Sequence, residues 1–232
     1  MKRKPERCSH FNDRAAISAD IAASTSLTQE QRVFLDGKLR ELLRHLRTLF
    51  GVRNFFGRLV KGDCLECVLE ESRFALRAAL LIRTFVKSLD IKSPDSNFND
   101  YGVRVAVGVG AIATLDRKRD FISGEAIVLS GRAVQELSNR AKSGLAFRSA
   151  NEDWNKVMAP LFALLDTMLV KNTKKQCGIL WHCLSGKTEK EICVITGHSQ
   201  PTINSHTRAA GWAAIKSAVD YFEGENKPSE RR

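Results

Sequence analysis

Hydrophobic and polar positions divide the chain into a front of alternating strand and helix patterns and an all-helical back. Residues 15–22, AAISADIA, are a short apolar run with one acid inside it, which predicts a buried strand. Over 28–50, Leu35, Leu39, Leu42, Leu43 and Leu46 recur at helical spacing and predict an amphipathic helix that ends at Gly51. Residues 54–59 and 64–69 are strand candidates on either side of Lys61-Gly62-Asp63, a hairpin turn signal. Helical spacing returns over 72–89 in Phe74, Leu76, Ala79, Leu80, Ile82 and Phe85, and Ser, Pro, Asp and Asn make 91–100 a loop. Alternating Val103, Val105, Val107 and Val109 predict a strand over 101–110. A charged loop at 115–120, a helix over 124–137 and a last strand at 143–147 complete the front. Strand, helix, strand, strand, helix, strand is the order of a ferredoxin-like split βαβ sheet, here with additions. The fold class expected is therefore α+β: an antiparallel ferredoxin-like sheet with helices, followed by a small all-α unit.

The back of the chain carries a sharper signal. Residues 184–215 read as two short helices joined by a tight turn, the helix-turn-helix pattern. Thr188 caps the first helix, and Glu191 three residues later completes a capping box. Ile192 and Ile195 fall on one face, and Gly197-His198 makes the turn. Ser199 caps the second helix, and Pro201 is tolerated in its first turn. Ile203 and Ala210 then face inward, which leaves Gln200, Thr202, Asn204, Ser205 and Arg208 outward, side chains suited to base edges and phosphates. With Thr188 and Ser199 these are the candidate DNA-binding residues; the plain alternative is an αα-hairpin that only packs on its neighbours. The expected division is a flexible basic arm over 1–14, the α+β domain over 15–150, a linker helix over 151–172, the helix-turn-helix domain over 173–223 and a frayed tail over 224–232.

Charge shifts the balance between those two readings. Among 232 residues the formal net charge is +11, which favours a polyanionic partner. Double-stranded DNA comes ahead of a membrane, because no apolar run is long enough to span a bilayer. The six cysteines are spread through a chain that begins without a signal peptide's apolar core, so they are read as reduced thiols of a cytoplasmic protein. Cys64 and Cys67 form a C-x-x-C inside a strand, where residues three apart point to opposite faces and share a metal poorly.

Two acids stand out in the front half. Asp20 lies among apolar strand neighbours, where an unpaired carboxylate is costly, and Asp63 sits at the hairpin tip. In a split βαβ sheet the first and third strands are neighbours, so the two carboxylates converge at one edge. Together they suit one or two Mg²⁺ ions whose other positions are filled by water and a triphosphate. The structural alternative makes Asp63 a turn residue and Asp20 an acceptor of backbone hydrogen bonds.

Ser18-Ala19-Asp20-Ile21, Lys61-Gly62-Asp63 and the stretch from Gly124 to Arg132, GEAIVLSGR, resemble class III nucleotidyl cyclase domains in order and spacing. The resemblance implies that Asp20 and Asp63 hold Mg²⁺ or Mn²⁺ with a nucleotide and that Arg132 supplies the family's transition-state arginine. It also implies departures: Val128 stands where the family has an asparagine, and Leu59 stands where it has a purine-selecting lysine. Arg58 or Lys61 could substitute for that lysine, and Asp120 matches the second base-selecting position loosely. Valine donates no hydrogen bond, and removing one such donor typically costs about 10²–10³ in rate. The whole chain is similar to the SatD-like family, a cyclase-like domain followed by a helix-turn-helix, and Ser199-x-x-Thr202-Ile203-x-x-His206 resembles the LuxR type of DNA reader. The function implied is a transcriptional regulator, a homodimer through its degenerate cyclase-like domain, which senses a nucleotide. An active cyclase, converting NTP to cyclic NMP and pyrophosphate, is the alternative.

Overall fold

The computed structural model describes residues 14–60, 62–92, 98–99, 102–139 and 144–224. The basic arm through residue 13, Lys61, the start of the predicted last strand at Ser143 and the tail from 225 lie outside the described residues.

The front half builds a five-stranded sheet. Its elements are β1 (Arg14–Ile21), α1 (Gln29–Phe50), β2 (Phe55–Val60), β3 (Cys64–Leu69), α2 (Ala75–Ser88), β4 (Val103–Gly110), β5 (Ile112–Asp116), β6 (Phe121–Gly124), α3 (Glu125–Ser138) and β7 (Leu145–Ser149). Spatial order is β2-β3-β1-β4-β7, antiparallel throughout except for the parallel pair β4 and β7. The first four strands therefore have the ferredoxin-like order predicted from the sequence, and β7 extends it after the α3 crossover.

Period-two alternation gives the sheet two unlike faces. Ala15, Ile17, Ala19 and Ile21, with Leu65, Cys67, Leu69, Val103, Val105 and Val107, bury against Leu35, Leu39, Leu42 and Leu46 of α1 and the apolar side of α2. Ala16, Ser18 and Asp20 point the other way. There α3 covers Ala106 with Ala133 and Leu137, and the β5–β6 hairpin covers Ala16 and Val68 with Ile112 and Ile122. Helix α3 comes so close that a Cβ at Gly108 would collide with the Ala126 carbonyl and the Ser130 amide. A buried hydrogen bond of 2.8 Å between the Ser18 and Ser130 hydroxyls fixes its register. The hairpin corrects the sequence reading, in which 115–120 was a charged loop: its tip carries the charges, and the flanking strands are too short and half-exposed to show alternation.

The back half continues with α4 (Glu152–Lys171), α5 (Lys174–Leu184), α6 (Glu189–Thr196), α7 (Gln200–Ala209) and α8 (Trp212–Phe222). These helices do not merely follow the sheet. Leu180, Ile215, Val219 and Phe222 enter the same hydrophobic core as Ile17, Leu39 and Leu80. Buried polar groups tie the seam. The fully buried Arg83 of α2 pairs with Asp166 of α4 at 3.2 Å and donates to the Val103 carbonyl, while Asp166 also accepts from the Gly144 amide at 2.7 Å. Lys87 donates to the Leu169 and Val170 carbonyls at the end of α4, where the helix dipole favours a cation. Asn172 reaches the Ala210 carbonyl, and Arg77 pairs with Glu223 at 2.7 Å. Among the described residues no helix is long and apolar enough to cross a membrane.

Candidate functional site

The acids converge as the sheet order requires. Asp20 is the penultimate residue of β1, not a mid-strand residue, and it lies opposite Cys64 on β3 and Arg104 on β4. The Cys64 thiol sits between the two carboxylates, 3.7 Å from Asp20 Oδ1 and 3.6 Å from Asp63 Oδ1. The turn is pinned to the strand end because the Ile21 amide donates to the Asp63 carbonyl. Gly62, with φ 82°, adopts the left-handed conformation this turn needs. Ser24, in the short 3₁₀ turn after β1, donates to Asp63 Oδ2 at 3.0 Å.

Asp20 does not accept from backbone amides of the described residues, as the structural alternative had it; Arg104 Nη1 donates to its Oδ2 at 3.3 Å. Burial nevertheless raises the Asp20 carboxyl above its ordinary value; Arg104 opposes the shift, and the neighbouring Asp63 charge adds to it. The Cys64 thiol is pushed up to about 12, by burial first and by Asp63 and Asp20 next, so it stays protonated and acts as a donor. Beside the acids, an open cleft of about 390 Å³ is lined by Ser24, Thr25, Gln29, Arg32, Gly62 and Asp63, among others. Its charged groups are the carboxylates of Asp36 and Asp63 and the guanidinium of Arg32, which donates to the Leu27 and Thr25 carbonyls; Asp20 does not line it. No group of three or more His, Cys, Asp or Glu that could hold a metal occurs among the described residues. The acids thus fit an ion that brings ligands of its own, as a phosphate-bound Mg²⁺ does, and do not fit a self-sufficient metal centre.

The other residues named from the cyclase resemblance are not all gathered at that cleft. Arg58 on β2 and Asp120 at the hairpin tip do meet: Arg58 donates to the Asp120 carbonyl and lies 4.0 Å from its carboxylate. Arg58 is held more tightly by Glu66, its cross-strand partner, at 2.6 Å. It is therefore committed within the sheet and does not replace the absent lysine without giving up that pair. Val128 and Arg132 lie one turn apart on the exposed side of α3, and Arg132 has no hydrogen bond or ion pair to any described residue. Arg104 and Cys64 were missed. Alternation places Arg104 on the face of Asp20, but only the β1–β4 register shows that the two touch.

A second arrangement lies in α6 and α7. The Thr188 hydroxyl accepts from the Glu191 amide at 3.3 Å, and the Glu191 carboxylate accepts from the Thr188 amide at 2.8 Å, the capping box expected. Gly197, with φ 70°, ends α6 in the left-handed conformation and turns the chain into α7. Ile179, Ile192 and Ile203 form a small core of their own beneath the pair. Ile195 is corrected: it is 52% exposed, with Val194 beside it at 86%, because Ile179 supplies the third inward side chain. Ser199 occupies the N-cap position, but its hydroxyl bonds Thr202 at 2.9 Å and not a backbone amide. Gln200 donates to Glu189 at 3.1 Å, Thr202 is half-buried, and Asn204, Ser205 and Arg208 are exposed. The side chains of these last three have no hydrogen-bond or ion-pair partner among the described residues.

No family model and no curated protein sequence matches the chain. Among solved structures, a bacterial light-regulated adenylyl cyclase is similar at 17% identity with a TM-score of 0.44, over 58% of this chain and 74% of that one. The active GGEEF domain of a diguanylate cyclase from Vibrio cholerae is similar at 17% identity with a TM-score of 0.33, over 61% of this chain and 85% of that one.

Proposed function

We propose that the chain is a DNA-binding transcriptional regulator whose α+β half binds a nucleotide as a signal. The observation that carries the reading is the outer face of α7. Asn204, Ser205 and Arg208, whose side chains have no partner among the described residues, project from a helix seated on the Ile179, Ile192 and Ile203 core, in the manner of a recognition helix offered to the major groove. The net charge of +11 supports a polyanionic partner. Ser199 sits at the exposed N-terminus of α7, where backbone amides suit phosphate, whereas Thr188 at the start of α6 is already capped by the Glu191 carboxylate. Two copies related by a two-fold axis would read two half-sites of a pseudo-palindrome.

On the sensing side, Asp20 and Asp63 would hold a nucleotide-bound Mg²⁺ or Mn²⁺, with Ser24 and Arg32 at the cleft. The ion would supply charge neutralisation for the phosphates. Arg104 must give way from Asp20 for the ion to bind there, so ligand binding and rearrangement of the β1–β4 edge are coupled. The buried Arg83–Asp166 and Lys87 contacts join that sheet to the α4–α8 helices and give the coupling a physical route.

Selection of duplexes from a randomised pool by the full chain tests the reading. Enrichment of a two-fold motif by the wild type, lost with Asn204→Ala/Arg208→Ala, supports it; a pool that stays random contradicts it. A second reading, an active nucleotidyl cyclase, draws on the convergence of Asp20 and Asp63. It requires a cyclic product from an NTP with Mg²⁺ or Mn²⁺ that disappears in Asp63→Ala.

A further inference from the structure

Helix α4 buries one side thoroughly, through Met158, Phe162, Leu165 and Leu169. Its opposite side carries a second pattern. Asp153, Val157, Pro160, Leu164, Thr167 and Lys171 recur at alternating steps of four and three, which keeps them on one stripe, and all six are exposed. Leu164 is 66% and Val157 is 56% exposed, among the most exposed large apolar side chains of the fold. Steps of four and three average to the 3.5-residue repeat of a helix that packs along a partner helix. Pro160 removes one intrahelical hydrogen bond at its centre, yet α4 runs through it unbroken; the anchored opposite side holds the helix together.

The ends of the stripe name the partner. Asp153 closes it at the N-terminal end and Lys171 at the C-terminal end, and the stripe is symmetric about residue 162. An antiparallel copy brings Asp153 against Lys171 of the second chain, Val157 against Thr167, and Pro160 against Leu164. A parallel copy would set Asp153 against Asp153 and Lys171 against Lys171, and like charges repel. Each charge also completes its own helix dipole, the acid at the N-terminus and the cation at the C-terminus. Asp153 pairs locally with Lys156 at 2.9 Å, but both side chains are highly exposed and such a pair exchanges readily.

We infer that the α4 stripe is the two-fold contact of a homodimer, an antiparallel seam of α4 against α4 of a second copy. The inference places the contact on α4, outside the cyclase-like domain through which the resemblance implies dimerisation, and it stands without the DNA reading, since oligomeric state is measured with no DNA present. A single helix seam lies near or below the small end of specific interfaces, about 1,200 Å² in total, so monomer and dimer exchange with concentration.

Sedimentation velocity on the full chain over a wide concentration range tests it, with thermal melts to confirm that each variant is folded. The wild type shifts from monomer to dimer, and Leu164→Glu remains monomeric with an unchanged melting temperature. Asp153→Lys alone and Lys171→Asp alone are each monomeric at concentrations where the wild type dimerises. Mixed in equal amounts, those two variants form a dimer, because a lysine of one chain then faces an aspartate of the other at both ends of the seam. A wild type that stays monomeric throughout overturns the inference. So does a dimer that survives Leu164→Glu, or a mixture that behaves like its separate components. Loss of motif enrichment with an intact dimer would instead count against the DNA reading alone.

Discussion

The strand ends around Asp20 and the outer face of α7 both display charged and polar side chains, but they stand in opposite states of satisfaction. At the strand ends the described acids and Arg58 have partners: Asp20 has Arg104 and Cys64, Asp63 has Ser24 and Cys64, and Arg58 has Glu66. On α7, Asn204, Ser205 and Arg208 have none among the described residues. The difference follows from burial. Arg58, Glu66 and Arg104 keep only 18–25% of their side-chain surface exposed, and a charge that far from water is costly unless paired. On α7 water satisfies the same kinds of group at little cost, so they remain available to an incoming phosphate or base edge. One region must break contacts to bind; the other only releases water and ions. That contrast matches the proposed switch at the strand ends and the proposed reader at α7.

The comparison breaks most completely if the seat of α7 is removed. Ile203→Ala empties a fully buried position in the three-isoleucine core, and a truncation of this kind costs about 2–5 kcal/mol. DNA binding should be lost with it, and hydrogen exchange should show α6 and α7 opening before β1 and β4. Arg208→Ala acts without disturbing the fold. It should weaken binding to the selected duplex by about 1–3 kcal/mol if Arg208 reads a base, with stability unchanged within about 0.5 kcal/mol. A melting temperature that falls with affinity would show Arg208 to be structural.

Smaller effects sharpen the other side. Asp20 has its carboxyl held above the ordinary value of 3.8 by burial. A group raised in this way contributes stability that is fully present below its unfolded value and is lost as pH rises through its folded value. Asp20→Asn should therefore melt slightly higher than the wild type at neutral pH while losing any thermal shift from a nucleotide with Mg²⁺; a lower melting temperature would mean that the Arg104 pair outweighs burial. The smallest effect concerns His45 and His182, on either side of Trp181 where α1 meets α5. His45 bonds the Ser185 hydroxyl at 3.0 Å. Burial lowers both histidines from 6.5; Lys187 adds to the shift at each, His45 adds at His182, and Glu41 partly opposes it at His45. A lowered histidine contributes stability above its unfolded value that is lost as pH falls toward its folded value. The melting temperature should thus decline on acidification below about 6.5, and His45→Gln should flatten that decline. An unchanged slope in the variant would assign the decline to other groups.

How much of this was legible in the sequence depended on whether a signal was local. The strands β1 to β4, helices α1 and α2 and their order were legible locally: α1 buries one leucine stripe, while α2 and β4, buried nearly all round, still read as apolar runs bounded by turn residues. The capping box at Thr188 and Glu191 and the turn at Gly197 follow from residues within a few positions of one another. The β5–β6 hairpin was hidden because its strands are brief and its tip is charged. Ile195 was misplaced because α6 is too short for its spacing to choose between Ile192 and Ile195 without Ile179, which comes from another helix. The Arg104–Asp20 pair was illegible for the same reason: strand register across β1 and β4 is a property of the assembled sheet. Nor could the sequence reveal that α5 and α8 share the core of the sheet, which rests on Leu180, Ile215, Val219 and Phe222 packing among residues from distant parts of the chain.

The most direct test of the central claim is fluorescence anisotropy of the full chain on its selected duplex and on a scrambled one across a salt series. The account predicts tighter binding to the selected duplex, a logarithm of affinity that falls linearly with log salt concentration in the manner of phosphate neutralisation, and loss of the preference in Arg208→Ala. Equal affinity for both duplexes, left unchanged by Arg208→Ala, would contradict it.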